Sequence, residues 1–263
     1  MSREHRLLSA LTFAGAIALS VAAPATLAAD KEPRGVRNVV LVHGAWADGS
    51  SWAKVIPLLE KAGLKAIAVQ NPLTSFEDDL AATKRAIALA DGPVILVGHS
   101  WGGVVITEAG ADAKVAGLVY VAAFAPDVGE AIPDLGKEFP PAPGGAEIRP
   151  DATGYLTLTT KGVFENFAQD LPLAQKKLIF ATQGATNSAV FGAKVANAAW
   201  KTKPSWYVIA ANDRMIQPDL ERKFAQAMKA TTLTLPSSHV PMLSHPAEVA
   251  KLLIQAAKTA AAN

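Results

Sequence analysis

Short, continuous apolar runs alternate with longer amphipathic stretches along this chain from residue 38 onward. Such a run is typical of a strand that is buried on both faces, as the strands of parallel sheets are. The amphipathic stretches between the runs predict helices that cover those faces. Six runs predict six strands, at residues 38–42, 65–69, 94–97, 117–122, 206–210 and 231–235. The pattern therefore predicts an α/β fold with a mostly parallel six-stranded sheet and helices on both faces.

The amphipathic stretches carry their apolar residues at helical spacing. Between the first two predicted strands, Trp52, Val55, Ile56 and Leu59 recur at positions i, i+3, i+4 and i+7, and Gly63 ends this stretch. Further helices are predicted over residues 76–90, from residue 218 and from residue 246. A proline begins each of the last two helices, a position that suits the first turn.

One long stretch interrupts the alternation. About 80 residues separate the fourth predicted strand from the fifth, and residues 133–150 of this stretch contain five prolines. Short helical patterns follow at about 161–170 and 172–182. Because a loop of this length without structure of its own is unusual in a compact domain, we expect a cap at about residues 127–203, inserted over the ends of the strands.

The first 28 residues have the features of an export signal and are expected to be separate from the fold. Basic residues precede an apolar stretch at about residues 7–23, and small residues follow at 25–29. This order is typical of a secretory signal peptide, so we expect cleavage after Ala28 and a mature domain at residues 29–263. The protein is then exported, periplasmic or secreted, without stable membrane association. The alternative is an uncleaved membrane anchor, since the apolar stretch is nearly long enough to span a bilayer.

Composition excludes several classes of function. The 263-residue chain is 50% hydrophobic and 18% charged, and its formal net charge is +2. Because basic residues form no block and do not interleave with aromatic residues, we expect no nucleic-acid partner. The chain has no cysteine, which excludes disulfides, thiolate catalysis and cysteine-ligated metal.

A predicted buried strand, a sharp turn and a predicted helix meet at residues 94–103. The turn at residues 98–102 reads Gly-His-Ser-Trp-Gly, which is a G-x-S-x-G nucleophile elbow. The serine of such a turn has a strained backbone, usually with positive φ, and its hydroxyl projects from the end of the sheet. The flanking glycines avoid a clash between the turn and the returning helix. The motif in this setting predicts that the Ser100 hydroxyl is a nucleophile.

A serine nucleophile needs a general base, and the base needs an acid that orients it. His239 is the predicted base because it lies in a turn-rich loop just after the sixth strand, whereas the rival His245 lies at a helix start. Asp213 is the predicted acid because it follows the fifth strand and so reaches the same edge of the sheet. Asp127, which follows the fourth strand, is the alternative acid.

The tetrahedral intermediate of acyl transfer needs hydrogen-bond donors for its oxyanion. The backbone N–H of Trp101, next to the nucleophile, is one predicted donor. The second is the backbone N–H of Ala45, in the loop after the first strand, where Gly44 lets the backbone bend. We expect His43 to order this loop and His99 to pack beside the nucleophile, neither acting in acid–base chemistry.

Four segments together resemble the α/β-hydrolase superfamily, namely those at residues 43–46, 98–103, 213 and 239. The His-Gly-Ala-Trp sequence of the first segment makes the chain similar to small serine esterases of the branch that includes plant methylesterases, hydroxynitrile lyases and bacterial relatives. The resemblance implies an α/β-hydrolase fold with an inserted cap, hydrolysis of carboxylic esters through an acyl-enzyme on Ser100, and no metal or cofactor. Val240 stands where the hydroxynitrile lyases have a lysine, which argues against lyase activity.

Four apolar residues near these segments are candidates for lining an acyl or alcohol pocket, namely Trp46, Phe124, Met242 and Leu243. The expected partner is a small-molecule ester. Two other functions fit the same motifs. One is cofactor-free perhydrolysis of the haloperoxidase type, which uses the same triad, and the other is a ligand-binding role without catalysis.

Overall fold

The structure is a computed structural model that describes residues 35–260, so the signal peptide predicted at residues 1–28 lies outside the described residues. The strands are β1 (Asn38–Val42), β2 (Lys65–Ala68), β3 (Val94–Ser100), β4 (Val115–Ala123), β5 (Ile148–Pro150), β6 (Tyr155–Leu158), β7 (Thr186–Asn187), β8 (Ser205–Ala210) and β9 (Thr231–Leu235). The helices are α1 (Ile56–Lys61), α2 (Phe76–Leu89), α3 (Gly102–Ala109), α4 (Leu173–Thr182), α5 (Pro218–Ala227), α6 (Pro241–Ser244) and α7 (Pro246–Thr259).

The main sheet has six strands in the order β2-β1-β3-β4-β8-β9, and every neighbouring pair is parallel. Every residue of β1 and β3 is buried, as expected for strands that are covered on both faces. Helices α2 and α3 pack against each other, as do α1 and α7. This architecture confirms the fold class predicted from the apolar runs.

The strand order changes direction at β1, because β2 lies on one side of it and β3 on the other. In open parallel sheets, ligands bind outside the carboxyl ends of the strands at such a switch point. Val42 at the end of β1 is in register with Gly98 in β3. The loop after β1 and the turn after β3 therefore emerge side by side.

The first predicted helix begins later than its apolar spacing indicates. Trp52 ends a short 3-10 turn, Gly49–Trp52, and α1 begins at Ile56 with a proline in its first turn. Asp48 caps the 3-10 turn, because its carboxylate accepts a 2.6 Å hydrogen bond from the Ser50 N–H. The apolar spacing places the correct residues inside, since Trp52 and Leu59 are fully buried, but it does not separate the turn from the helix.

The stretch between β4 and β8 forms a small three-stranded antiparallel sheet, in the order β5-β6-β7, together with α4. The helical pattern expected at about 161–170 is a π-helical turn, Gly162–Phe167. Trp46 joins this stretch to the loop after β1. Its indole N–H donates to the Leu156 carbonyl at 3.0 Å, and its backbone N–H donates to the Thr186 hydroxyl at 3.2 Å.

Candidate active site

The turn after β3 has the geometry of a nucleophile elbow. Ser100 is the last residue of β3, and its φ is +53°, in the left-handed region that non-glycine residues rarely adopt. A Cβ on Gly98 would lie 2.5 Å from the Gly102 carbonyl oxygen, and a Cβ on Gly102 would lie 2.6 Å from the Val42 carbonyl oxygen. Only glycine fits at either position, because these neighbours are backbone atoms that cannot move aside.

His239 and Asp213 form a buried hydrogen-bonded pair. His239 Nδ1 lies 2.6 Å from Asp213 Oδ2, and the exposed fractions of the two side chains are 1% and 0%. The other Asp213 oxygen accepts the backbone N–H groups of Met215 at 2.7 Å and Ile216 at 3.0 Å. Because a carboxylate accepts from three donors here, the proton of the imidazole lies on Nδ1. His239 Nε2 then carries a lone pair, and it has no hydrogen-bond partner among the described residues.

Neighbouring strands bring this pair together. Asp213 follows β8 and His239 follows β9, which is hydrogen-bonded to β8 in the sheet. The two loops are also joined directly, because the Asn212 N–H donates to the Ser237 carbonyl at 3.1 Å. Acid and base are 26 positions apart in the sequence, and the adjacent ends of β8 and β9 bring them together.

His99 connects the elbow to the loop of the base. Its Nε2 donates to the His239 carbonyl at 2.8 Å, and the two imidazole centroids are 4.8 Å apart. Burial lowers the pKa of His99 well below its ordinary value, and the nearby His239 acts in the same direction. A neutral His99 thus fixes the backbone of His239 by a hydrogen bond. Since His99 precedes Ser100 in the chain, this bond connects the loop of the base to the elbow.

The loop after β1 contacts the nucleophile. A Cβ on Gly44 would lie 2.7 Å from Ser100 Cβ, so the bare backbone of this loop packs directly against the serine. His43 Nδ1 donates to the Gly44 carbonyl at 2.8 Å, and its Nε2 accepts the Asn71 N–H at 2.9 Å. Burial lowers the pKa of His43, which keeps the ring neutral and suited to this pair of bonds.

The two predicted oxyanion donors belong to the two segments that meet at Ser100. Ala45 is in the loop that packs against the serine, and Trp101 follows the serine at the start of α3. Neither backbone N–H donates to another group within residues 35–260. Both donors are therefore available to an oxygen atom bound at this site.

The rival residues lie elsewhere. Asp127 forms an ion pair with Lys201 at 2.5 Å, its side chain is 41% exposed, and the hydrogen bond from Lys201 lowers its pKa. His245 hydrogen-bonds the adjacent Ser244 hydroxyl at 2.9 Å. The structure thus brings Asp213 to His239 and gives the alternative acid a different partner.

A cavity of about 340 Å³ opens beside His99 and Val240, the neighbours in sequence of Ser100 and His239. Of the four residues predicted to line a pocket, Trp46 and Leu243 do so. The other lining residues include Phe167, from the π-helical turn, and Leu178 and Ile179 from α4. The stretch between β4 and β8 therefore supplies one wall of the cavity.

The other two, Phe124 and Met242, are not among the residues that line this cavity. Met242 is fully buried in the core, because consecutive residues of a helix point in different directions and its neighbour Leu243 faces the cavity. Phe124 follows β4, whereas the loop after β1 borders the cavity, and β3 lies between these two strands. Its side chain packs against the core instead.

Three buried residues next to the site were not predicted. Asp79 binds the indole N–H of Trp101, the Phe167 ring lies 5.1 Å from the His239 ring, and Glu221 lies against Asp213. Glu221 had a signal in the sequence, since it precedes the inward-facing Phe224 by three residues. Asp79 had none, because an acidic residue in the first turn of a helix is common on electrostatic grounds alone.

Two absences hold for residues 35–260, the part of the chain that the structure describes. No cluster of three or more histidine, cysteine, aspartate or glutamate side chains there is arranged to hold a metal ion. No helix there combines the length and the apolar character needed to cross a membrane.

Comparison with known proteins agrees with this architecture. The Alpha/beta hydrolase family matches residues 39–252. Methylesterase 7 of Arabidopsis thaliana is 26% identical, over 84% of this chain and 96% of that protein. An Alpha-hydroxynitrile lyase of the same plant is 29% identical, over 70% of this chain and 82% of that protein. The solved structure of a pyrethroid hydrolase from Sphingobium faniae JZ-2 superposes with a TM-score of 0.74 at 24% identity, covering 85% of this chain and 98% of that one, and so has the same fold. The chain belongs to the Alpha/beta hydrolase family.

Proposed function

We propose that this protein is a serine hydrolase that cleaves carboxylic esters of small molecules through an acyl-enzyme on Ser100. The observation that carries the proposal is the buried bond between His239 Nδ1 and Asp213, which leaves His239 Nε2 without a partner among the described residues. The His239 ring lies 4.8 Å from the ring of His99, the residue before Ser100. A base held in this tautomer is what a serine hydroxyl needs in order to become a nucleophile. The esterase name of a relative, Methylesterase 7, supports the same class of reaction.

In the proposed reaction, His239 Nε2 takes the proton of the Ser100 hydroxyl as Oγ attacks the ester carbonyl carbon. The carbonyl oxygen becomes an oxyanion that accepts hydrogen bonds from the N–H groups of Ala45 and Trp101. Collapse of the intermediate breaks the ester C–O bond, and His239 returns the proton to the leaving alcohol. Water then attacks the acyl-enzyme with His239 as base, which releases the acid and restores Ser100.

The proposed substrates are small esters with an apolar acyl or alcohol group. The cavity of about 340 Å³ has a wall of aromatic and aliphatic side chains, which include Trp46, Phe167, Leu178 and Leu243. Burial of an apolar group against such a wall is favourable by about 25 cal/mol per Å². A substrate larger than the cavity would have to displace α4, so activity should fall as the ester grows.

The test is hydrolysis of a panel of p-nitrophenyl esters of increasing acyl length by the wild type and the Ser100→Ala variant. We expect Ser100→Ala to lower kcat/KM by roughly 10⁴–10⁶-fold, as loss of a triad nucleophile does. Ser188→Ala is the matched control, because Ser188 is exposed and does not line the cavity, and it should leave kcat/KM unchanged. Full hydrolysis by Ser100→Ala would refute the mechanism.

Covalent labelling gives a second test that requires no substrate. A fluorophosphonate should add one label to the wild type, detected as a mass increase of the intact protein, and none to Ser100→Ala. Absence of the label on a folded wild-type protein would favour a ligand-binding role without catalysis.

We also propose that residues 1–28 direct export and are removed, which makes the working enzyme periplasmic or secreted. The order of basic, apolar and small residues supports this. The mass of the protein recovered from the exported fraction tests it, since a mature chain beginning at Ala29 is expected. Recovery of the full-length chain in a membrane fraction would instead indicate a retained anchor.

A further inference from the structure

Glu221 is a fully buried carboxyl group on α5 that the proposed reaction does not use. Its Oε2 accepts the backbone N–H of Ala210 at 2.8 Å, at the end of β8. Its Oε1 receives no hydrogen bond from any donor of the described residues. A buried carboxylate oxygen without a hydrogen bond destabilises the folded protein. A protonated carboxyl group avoids this cost, because it can donate a hydrogen bond itself.

A second carboxyl group lies beside this one. The Ala210 N–H donates to Glu221 Oε2 at 2.8 Å, and the Ala210 carbonyl accepts the Asp213 N–H at 3.1 Å, so both acids adjoin the end of β8. The Asp213 side chain is within hydrogen-bonding reach of the Glu221 carboxyl group. Two buried carboxyl groups in contact do not both ionise, because their like charges repel in a medium of low dielectric. A proton on one of the two groups removes this repulsion and supplies a hydrogen-bond donor for the other.

Hydrogen bonding shows which group holds that proton. Asp213 already accepts from two backbone N–H groups and from His239, whereas Glu221 accepts from one N–H. Burial, together with the charge of Asp213, raises the pKa of Glu221 well above its usual value. Glu221 is thus the partner that holds the proton and can donate it in a hydrogen bond.

The other polar groups around Glu221 do not change this assignment. The Tyr207 hydroxyl is occupied with the backbone of Ala123, and burial raises its pKa well above the ordinary value, which keeps it neutral. Arg222 is the adjacent cation, but its guanidinium pairs with Asp219 at 2.6 Å and is 48% exposed. Solvent screens its effect on a fully buried carboxyl group.

We propose that Glu221 is a positioning residue whose protonated carboxyl group donates a hydrogen bond to Asp213 and so orients the Asp213–His239 pair. This inference rests on the proposed function, in which His239 acts as base. Glu221 touches no substrate. It acts through Asp213, which gains a fourth donor besides Met215, Ile216 and His239.

The kinetic test compares Glu221→Gln with Glu221→Leu. Glutamine has the shape of a protonated glutamate, since its oxygen can accept from Ala210 and its NH₂ group can donate to Asp213. We expect Glu221→Gln to keep kcat within about twofold, with the acid limb of the pH profile of kcat/KM unmoved. Glu221→Leu should lower kcat by about tenfold, the worth of one hydrogen bond to a charged group, with KM within about twofold.

Two kinetic results would overturn the proposal. If Glu221 were ionised in the working enzyme, Glu221→Gln would remove a negative charge beside the Asp213–His239 pair and move the acid limb to lower pH by about one unit or more. If Glu221→Leu folded and kept the wild-type kcat, the hydrogen bond would have no role in positioning.

A second readout requires no turnover. In the unfolded chain Glu221 loses its proton above its usual pKa of 4.5, whereas the folded protein retains it. The folded wild type therefore binds the extra proton, and its stability falls as pH rises above 4.5. Glutamine has no proton to lose. The Tm of Glu221→Gln minus the Tm of the wild type should therefore increase from about pH 5 to about pH 8.

A Tm difference that is independent of pH over this range would overturn the protonated state and with it the proposal. This series decides the question even if Glu221→Leu fails to fold. It is also separate from ester hydrolysis, because a protein without esterase activity would refute the proposed function while its Tm series still reported the proton on Glu221.

Discussion

The indole N–H of Trp101 donates a 2.8 Å hydrogen bond to the buried carboxyl group of Asp79. The other oxygen of Asp79 accepts the Leu73 N–H at 2.8 Å, at a residue whose φ is +59°. One carboxyl group on α2 thereby fixes both the strained loop before that helix and the side chain that follows the nucleophile. Because the Trp101 backbone N–H is a proposed oxyanion donor, this contact links a residue remote from the substrate to the geometry of the reaction.

Asp79→Asn is expected to destabilise the protein by about 1–3 kcal/mol, because the asparagine NH₂ group cannot accept one of the two N–H groups. Urea unfolding measures this loss. Trp101→Phe removes the indole N–H and keeps an aromatic ring, so its cost should overlap with that of Asp79→Asn. The double variant should then lose less than the sum of the single losses, whereas strict additivity would contradict a shared hydrogen bond.

Gly44→Ala should lower kcat/KM by about 10²–10³-fold, the effect of losing one oxyanion donor. The added Cβ would lie 2.7 Å from Ser100 Cβ and 3.0 Å from His99 Nδ1, so the loop carrying Ala45 must move away from the serine. Gly192→Ala is the matched control, since a Cβ there meets no atom within 4 Å. Equal activity of the two variants would show that the loop need not contact the nucleophile.

Asp213→Asn should lower kcat/KM by about 10³–10⁴-fold with little change in fold, because an amide does not hold His239 in the tautomer that leaves Nε2 free. Asp127→Asn should stay within about twofold of the wild type, since it alters only an exposed ion pair with Lys201. Ester hydrolysis by the two variants checks this. A larger loss in Asp127→Asn than in Asp213→Asn would reverse the assignment of the acid.

Acid should destabilise the protein through its buried histidines. Burial lowers the pKa values of His43 and His99 below the ordinary 6.5. Below pH 6.5 the unfolded chain therefore binds protons that the folded protein does not bind. The stability they contribute is present above pH 6.5 and is lost as pH falls toward the folded pKa values. The expected loss is up to about 1.4 kcal/mol per pH unit for each histidine.

Urea unfolding at a series of pH values below neutrality measures this slope. His99→Gln keeps a donor for the His239 carbonyl but cannot take up a proton. Its slope should therefore be shallower than that of the wild type. Identical slopes would mean that His99 is not the source of the acid sensitivity.

Local pattern was sufficient for the six strands of the main sheet and for the elbow, but it did not predict the small sheet β5-β6-β7. The strands of the parallel sheet are buried on both faces, so each appears in the sequence as a continuous apolar run, and all six were found. The elbow was predicted equally well, because a Cβ at position 98 or 102 would clash with backbone atoms within or next to the turn. Asp213 and His239 follow from the same logic, since both stand at the carboxyl ends of predicted strands.

The sequence by itself therefore determined which strand ends carry reactive groups, because strand burial and turn sterics are local properties. Tertiary structure decided which groups meet there. It paired Asp127 with Lys201, directed Met242 into the core, and placed Glu221 against Asp213. These outcomes depend on the packing of segments that are distant in the chain, which no local pattern of residues encodes.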